Sequence, residues 1–206
     1  MTDCEGHLRA GIAVHMLLVA GTTVGYVGGV VHLGAIATTA VLLPVTLAGA
    51  LFPDLDHPSS LPYRYGRHVL PLLAAVVVAV VGVRYRVPIA VVLEGKTIDS
   101  LGSFLSGIIV ASLGWGAWAV GYVLFPMVRP PHRTVMHRVP TGVVAALCVG
   151  GVVSLLIGGH GTLGAGERVL IISSSGTFLL GVLSHLVADG LLLSGRQQYL
   201  PSYRDD

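Results

Sequence analysis

Six long apolar stretches constrain this chain more than any other feature. They run at about 10–28, 31–52, 69–93, 102–126, 140–158 and 169–193. A helix that crosses a bilayer needs about 20 mostly apolar residues. Five stretches supply them cleanly. The third has a shorter apolar core, Val69 to Val83, followed by Arg84 and Arg86. Residues 87–93 are too few to cross alone, so 69–93 is read as one crossing. Composition agrees: 53% of the residues are hydrophobic, 11% are charged, and a soluble domain of this length carries about a quarter charged residues. The expectation is an all-α, polytopic membrane helix bundle of about six transmembrane helices. It is read as a single integral-membrane domain over residues 1–206, multi-pass in the cell membrane.

Other classes are disfavoured. The net charge is +2, and no basic run alternates with aromatics, so no nucleic-acid partner is expected. The two cysteines, Cys4 and Cys148, offer neither a disulfide framework nor a zinc CxxC. Met1 to Arg9 carries Asp3 and Glu5 and lacks a small-residue cleavage site, so the first span is expected to stay in place.

Against this apolar background, the polar residues fall into four clusters. Phe52-Pro53-Asp54-Leu55-Asp56-His57-Pro58 closes the second stretch. Pro53 is expected to end the helix, and Pro58 to hold the segment extended. Residues two apart on an extended segment point the same way, so Asp54 and Asp56 are expected to face one direction. Two carboxylates held close repel unless a cation or a shared proton lies between them. The plainer alternative is a solvated turn.

Pro131-His132-Arg133-Thr134-Val135-Met136-His137-Arg138 follows the fourth stretch. On a regular helix His132 and His137 would lie about 140° apart, and Pro131 and Pro140 argue against a helix there. A loop or one distorted turn can bring both imidazoles to one point. The alternative is a basic loop that contacts lipid headgroups. Ser184-His185-Leu186-Val187-Ala188-Asp189 ends the sixth stretch. His185 and Asp189, four residues apart, share a helix face. Ionisable groups inside a membrane segment are expensive and functional by default, although a private stabilising pair fits the spacing as well. Glu5-Gly6-His7 precedes the first span. His15 lies about 12 Å deeper on a helix and reads best as a packed polar residue bonded to a neighbouring helix. His32, His68 and His160 receive no role.

Span counting puts all four clusters on one membrane face. That face would carry Arg9, Arg64, Arg67, Arg129, Arg133, Arg138, Arg196 and Arg204, against Arg84, Arg86, Lys96 and Arg168 opposite. The positive-inside rule then places the site and both termini in the cytoplasm. The candidate metal ligands are His7, Asp54, Asp56, His57, His132, His137, His185 and Asp189. Mixed imidazole and carboxylate donors suit a divalent transition metal, zinc or manganese first, rather than calcium. Eight candidates exceed one tetrahedral site and are enough for two ions, which can activate water and clamp a phosphoryl group in line. Asp56 and Arg133 are the candidate catalytic residues, with Arg133 expected to hold a phosphate oxygen.

These motifs, in order, resemble those of the YdjM-like inner-membrane metal-dependent hydrolases, a family that includes LexA-regulated bacterial members. The resemblance is carried by Glu5-Gly6-His7-Leu8, Pro53-Asp54-Leu55-Asp56-His57-Pro58, His132-Arg133 with His137, and Ser184-His185 with Asp189. It implies a membrane-embedded hydrolase whose metal ligands are the His and Asp residues at these positions. The sequence departs from the family pattern at Thr134, Met136 and Arg138, which stand where the family has Gly, Thr and Ser. The interval between His57 and His132 is long enough for an added helical hairpin. The substrate class expected is a phosphoester or a lipid-derived molecule met at the cytoplasmic face, with membrane lipids as the surrounding partners. The alternative is a non-catalytic metal-binding membrane protein or a metal-ion transporter, and a third reading is a membrane protein with a decayed site.

Overall fold

A computed structural model describes residues 4–95, 99–127, 135–158 and 162–191. Among them the chain is all helical: α1 (Cys4–Val27), α2 (Leu33–Val41), α3 (Leu43–Leu51), a 3₁₀ turn (Pro53–Asp56), α4 (Leu61–Arg84), α5 (Arg86–Glu94), α6 (Asp99–Met127), α7 (Val139–Ile157) and α8 (Ala165–Ala188). Five of these helices are long and apolar enough to cross a membrane, and the bent pair α2–α3 makes a sixth crossing if counted as one span. This is the polytopic helix bundle expected.

The pattern of burial is inverted relative to a soluble domain. Val24, Leu17 and Trp115 are about 70% exposed, while His7, His15, Thr46, Asp56 and His185 are at most 2% exposed. Lipid is as apolar as Leu, so apolar side chains gain little by packing inside, and interiors take small and polar residues.

Two breaks depart from the apolar stretches as read from sequence. Residues 31–52 hold two helices bent by 43° at Leu42. Pro44 lies in the first turn of α3 and has no N–H to continue the ladder. Residues 69–93 are likewise divided. The helix begins earlier, at Leu61, where Ser60 Oγ accepts from Tyr63 N at 3.1 Å, and it ends at Arg84 before the separate helix α5. Pro88 cannot donate back to Arg84, which accounts for the break at Tyr85. Arg84 then has a structural use: its guanidinium donates to the Leu155 carbonyl at 2.6 Å and to those of Leu156 and Gly158, the orphan acceptors at the end of α7.

The chain divides into two compact units. The first holds α1, α2, α3 and the part of α8 from Thr177; the second runs from Asp54 to Gly176. In the first unit glycines let backbones touch. A Cβ on Gly11 of α1 would lie 2.9 Å from Ala50 Cβ of α3. A Cβ on Gly181 of α8 would lie 2.8 Å from Ala50 N, and one on Gly49 would strike the Phe178 carbonyl. In the second unit α4 and α6 pack antiparallel, with Gly82 against Val110, Gly114 against Ala79 and Gly121 against Pro71.

Candidate metal centre

The first unit brings together three candidate ligand side chains. His7 projects from the second turn of α1, and His185 and Asp189 from the end of α8. One donor atom from each lies within 4.8 Å of the others. His7 Nε2 is 3.6 Å from Asp189 Oδ1, and His185 Nε2 is 3.7 Å from Asp189 Oδ2. The two imidazoles stack with centroids 3.7 Å apart and planes 16° from parallel. Distances of 3.6–3.7 Å exceed a hydrogen bond. They lie near the separation, about 3.3 Å, of two donors on a tetrahedron with 2.0–2.1 Å bonds.

Local structure explains the pose of each ligand. His185 Nδ1–H donates to the Ala50 carbonyl at 2.8 Å, fully buried. That bond puts the proton on Nδ1 and the lone pair on Nε2, the arrangement usual where a histidine binds a metal. The backbone approach at Gly49 and Gly181 is what puts the Ala50 carbonyl there. Asp189 is held where α8 stops. Gly190 takes φ 74°, Leu191 N bonds Leu186 O, and Gly190 N bonds Val187 O, which together form a Schellman close.

The donor set fits a cation. Asp189, 4% exposed, is a carboxylate at the negative end of a helix. A buried carboxylate needs a compensating charge, and two imidazoles are among the groups facing it. His7 Nδ1 is buried without a hydrogen-bond partner among the described residues. Two imidazoles and one carboxylate suit a borderline divalent metal.

The second unit pairs Asp56 with His137, and Asp56 Oδ2 lies 3.5 Å from His137 Nδ1 with both side chains buried. Their backbones differ from expectation. Asp54 and Asp56 sit on a 3₁₀ turn, not an extended strand. His57 N and Ser60 Oγ both bond the Asp54 carbonyl, at 3.2 and 2.7 Å, and close the chain into a turn. Pro58 constrains only His57, just beyond it. The two side chains differ in burial, Asp56 being 1% exposed and Asp54 half-buried, yet both carboxylates approach the His137 imidazole, Asp54 within 4.8 Å of a ring nitrogen. His57 Nδ1 shares a 2.9 Å hydrogen bond with Ser59 Oγ. His137 precedes α7 in a turn closed by Arg138 N on Val135 O at 3.2 Å. His132 and Arg133 lie outside the described residues.

His15 packs as expected, its Nδ1 sharing a 2.8 Å hydrogen bond with Thr46 Oγ1 of α3. Sequence reasoning did not find Thr46 or the Ala50 carbonyl. The cue available for the second was the glycine at position 49 beside it.

A family model described as YdjM inner membrane protein matches residues 1–205. No curated protein and no solved structure gives a significant match.

Proposed function

Because the chain belongs to the YdjM family of inner membrane proteins, we propose that it is a membrane-embedded, metal-dependent hydrolase. Its substrate is a phosphoester or lipid-derived molecule at the cytoplasmic face. The observation that carries this reading is the buried His7–His185–Asp189 group, with His185 held in its ligating tautomer by Ala50 O. Its donor types favour zinc or manganese. A bound divalent ion supplies Lewis acidity and lowers the pKa of water. His7, His185 and Asp189 would hold it. Asp56 and His137, a buried carboxylate–imidazole pair, take and return the proton of the attacking water. In this reading Asp54, His57 and His132 complete the ligand set, and Arg133 steadies a phosphate oxygen. Span parity in the sequence is the ground for assigning both groups to one reaction.

Metal analysis of the detergent-purified protein, paired with a phosphoester hydrolysis assay, tests the proposal. A metal-loaded protein whose turnover falls with Asp56→Ala supports it. Full metal content in Asp56→Ala with unchanged turnover sinks it.

One observation favours a second reading, a metal-ion transporter. The broken span α2–α3 places Thr46 one turn past the break, bonded to His15, and transporter sites use broken helices. Metal uptake into proteoliposomes by the wild type, abolished by His15→Ala, would favour it.

A further inference from the structure

The second unit carries a polar cluster outside the candidate metal centre. It lies on the first turns of α4 and the last turns of α6. Arg67 Nη2 donates to Tyr122 OH at 3.1 Å, and its guanidinium carbon lies 5.8 Å from the Tyr122 ring centroid. His68 leans on the same ring, centroids 5.6 Å apart, and Trp118 stacks on it at 5.6 Å. Arg64, Arg67 and His68 are exposed. Among the described residues neither arginine has a carboxylate partner. The sequence of α4 contains no acid, and that of α6 none after Asp99.

Three features define what would bind. Only one of the five guanidinium N–H donors of Arg67 is used among the described residues, and Tyr122, having accepted from it, keeps its own O–H to donate. These are two donors for one anionic oxygen pair. Next, the cluster tops an apolar flank: Leu72, Leu73 and Val76 of α4 and Leu113 and Val120 of α6 are each about half exposed. Such a flank takes acyl chains, and Trp and Tyr mark the level of the headgroups. Lastly, Arg67 already covers Tyr122, so a choline or ethanolamine group would meet a like charge.

We propose that Arg67 and Tyr122 bind the phosphate of an anionic phospholipid headgroup, with its acyl chains on the exposed faces of α4 and α6. The site also has a neighbour of interest. A Cβ on Gly66 would lie 2.6 Å from Leu55 Cδ2 and 3.7 Å from Phe125 Cζ. The turn that carries Asp54 and Asp56 therefore packs one residue from Arg67. A lipid held here is delivered beside those carboxylates, but its binding does not depend on the hydrolase reading.

The two tryptophans, both on α6, make the test direct. Trp115→Phe leaves Trp118, stacked on Tyr122, as the reporter. The protein is reconstituted in phosphatidylcholine vesicles containing a minor fraction of phosphatidylglycerol, with one lipid or the other brominated. Brominated phosphatidylglycerol is expected to quench Trp118 beyond its mole fraction, a preference of about five-fold, the weight of one basic residue at an anionic surface. Arg67→Gln removes the preference, Tyr122→Phe reduces it, and Arg67→Lys retains most of it. Equal quenching by the two lipids in the Trp115→Phe protein overturns the proposal. So does an unchanged preference in Arg67→Gln, or displacement of the lipid by millimolar inorganic phosphate, which would assign the site to the free anion.

Discussion

The two buried constellations are built differently. His7, His185 and Asp189 stand on or at the ends of long helices that each pack closely on α3 through glycine. Asp56 and His137 stand on a 3₁₀ turn and a short turn before α7. The helix-borne group owes its geometry to the bundle itself, and its outer support is a main-chain carbonyl. The turn-borne pair owes its geometry to local hydrogen bonds such as Ser60 Oγ to Asp54 O. Rigid elements hold ligands to closer tolerances than loops do. On the proposed function, the first group holds the ion and the second moves the proton.

If that division is right, the largest effect should come from the helix-borne ligands. Asp189→Ala or His7→Ala should weaken metal binding more than about 100-fold, beyond the usual cost of losing an outer-shell partner, as read by chelator competition. Asp56→Ala comes next. Turnover should fall by about 10² or more, the usual weight of a general base, with metal affinity lowered about ten-fold. A metal loss equal to that of Asp189→Ala would erase the distinction between the groups. Gly49→Ala tests the support. A new Cβ would strike Phe178 O, so thermal unfolding in detergent should show a loss of about 1–3 kcal/mol, with weaker metal binding as the Ala50 carbonyl shifts. The smallest effect is expected from Thr46→Val, which deprives His15 of its hydrogen bond. It should cost about 1 kcal/mol of stability and leave metal binding unchanged.

How much of this was legible in the sequence differs between the same two regions. The His185–Asp189 pair could be read from four-residue spacing alone, because a helix long enough to cross a membrane fixes which side chains share a face. His7 could be placed by depth. The crossings followed from length and hydropathy, although the breaks at Leu42 and Tyr85 depended on single prolines, Pro44 and Pro88, inside otherwise apolar runs. The turn was not legible. Pro58 suggested an extended segment, but Ser60 and the backbone of His57 close on Asp54 O, and no rule of spacing specifies that competition. Nor was the Ala50 carbonyl, since every residue carries such an acceptor and only tertiary contact selects one.

X-ray absorption at the metal edge of the zinc-loaded protein tests the central claim most directly. The account predicts an ion with imidazole nitrogens, those of His7 and His185 among them, at about 2.0–2.1 Å beside carboxylate oxygen donors, and the loss of one imidazole in His185→Ala. A protein that takes up no zinc, or a zinc shell with the same imidazole count in His185→Ala as in the wild type, would contradict it.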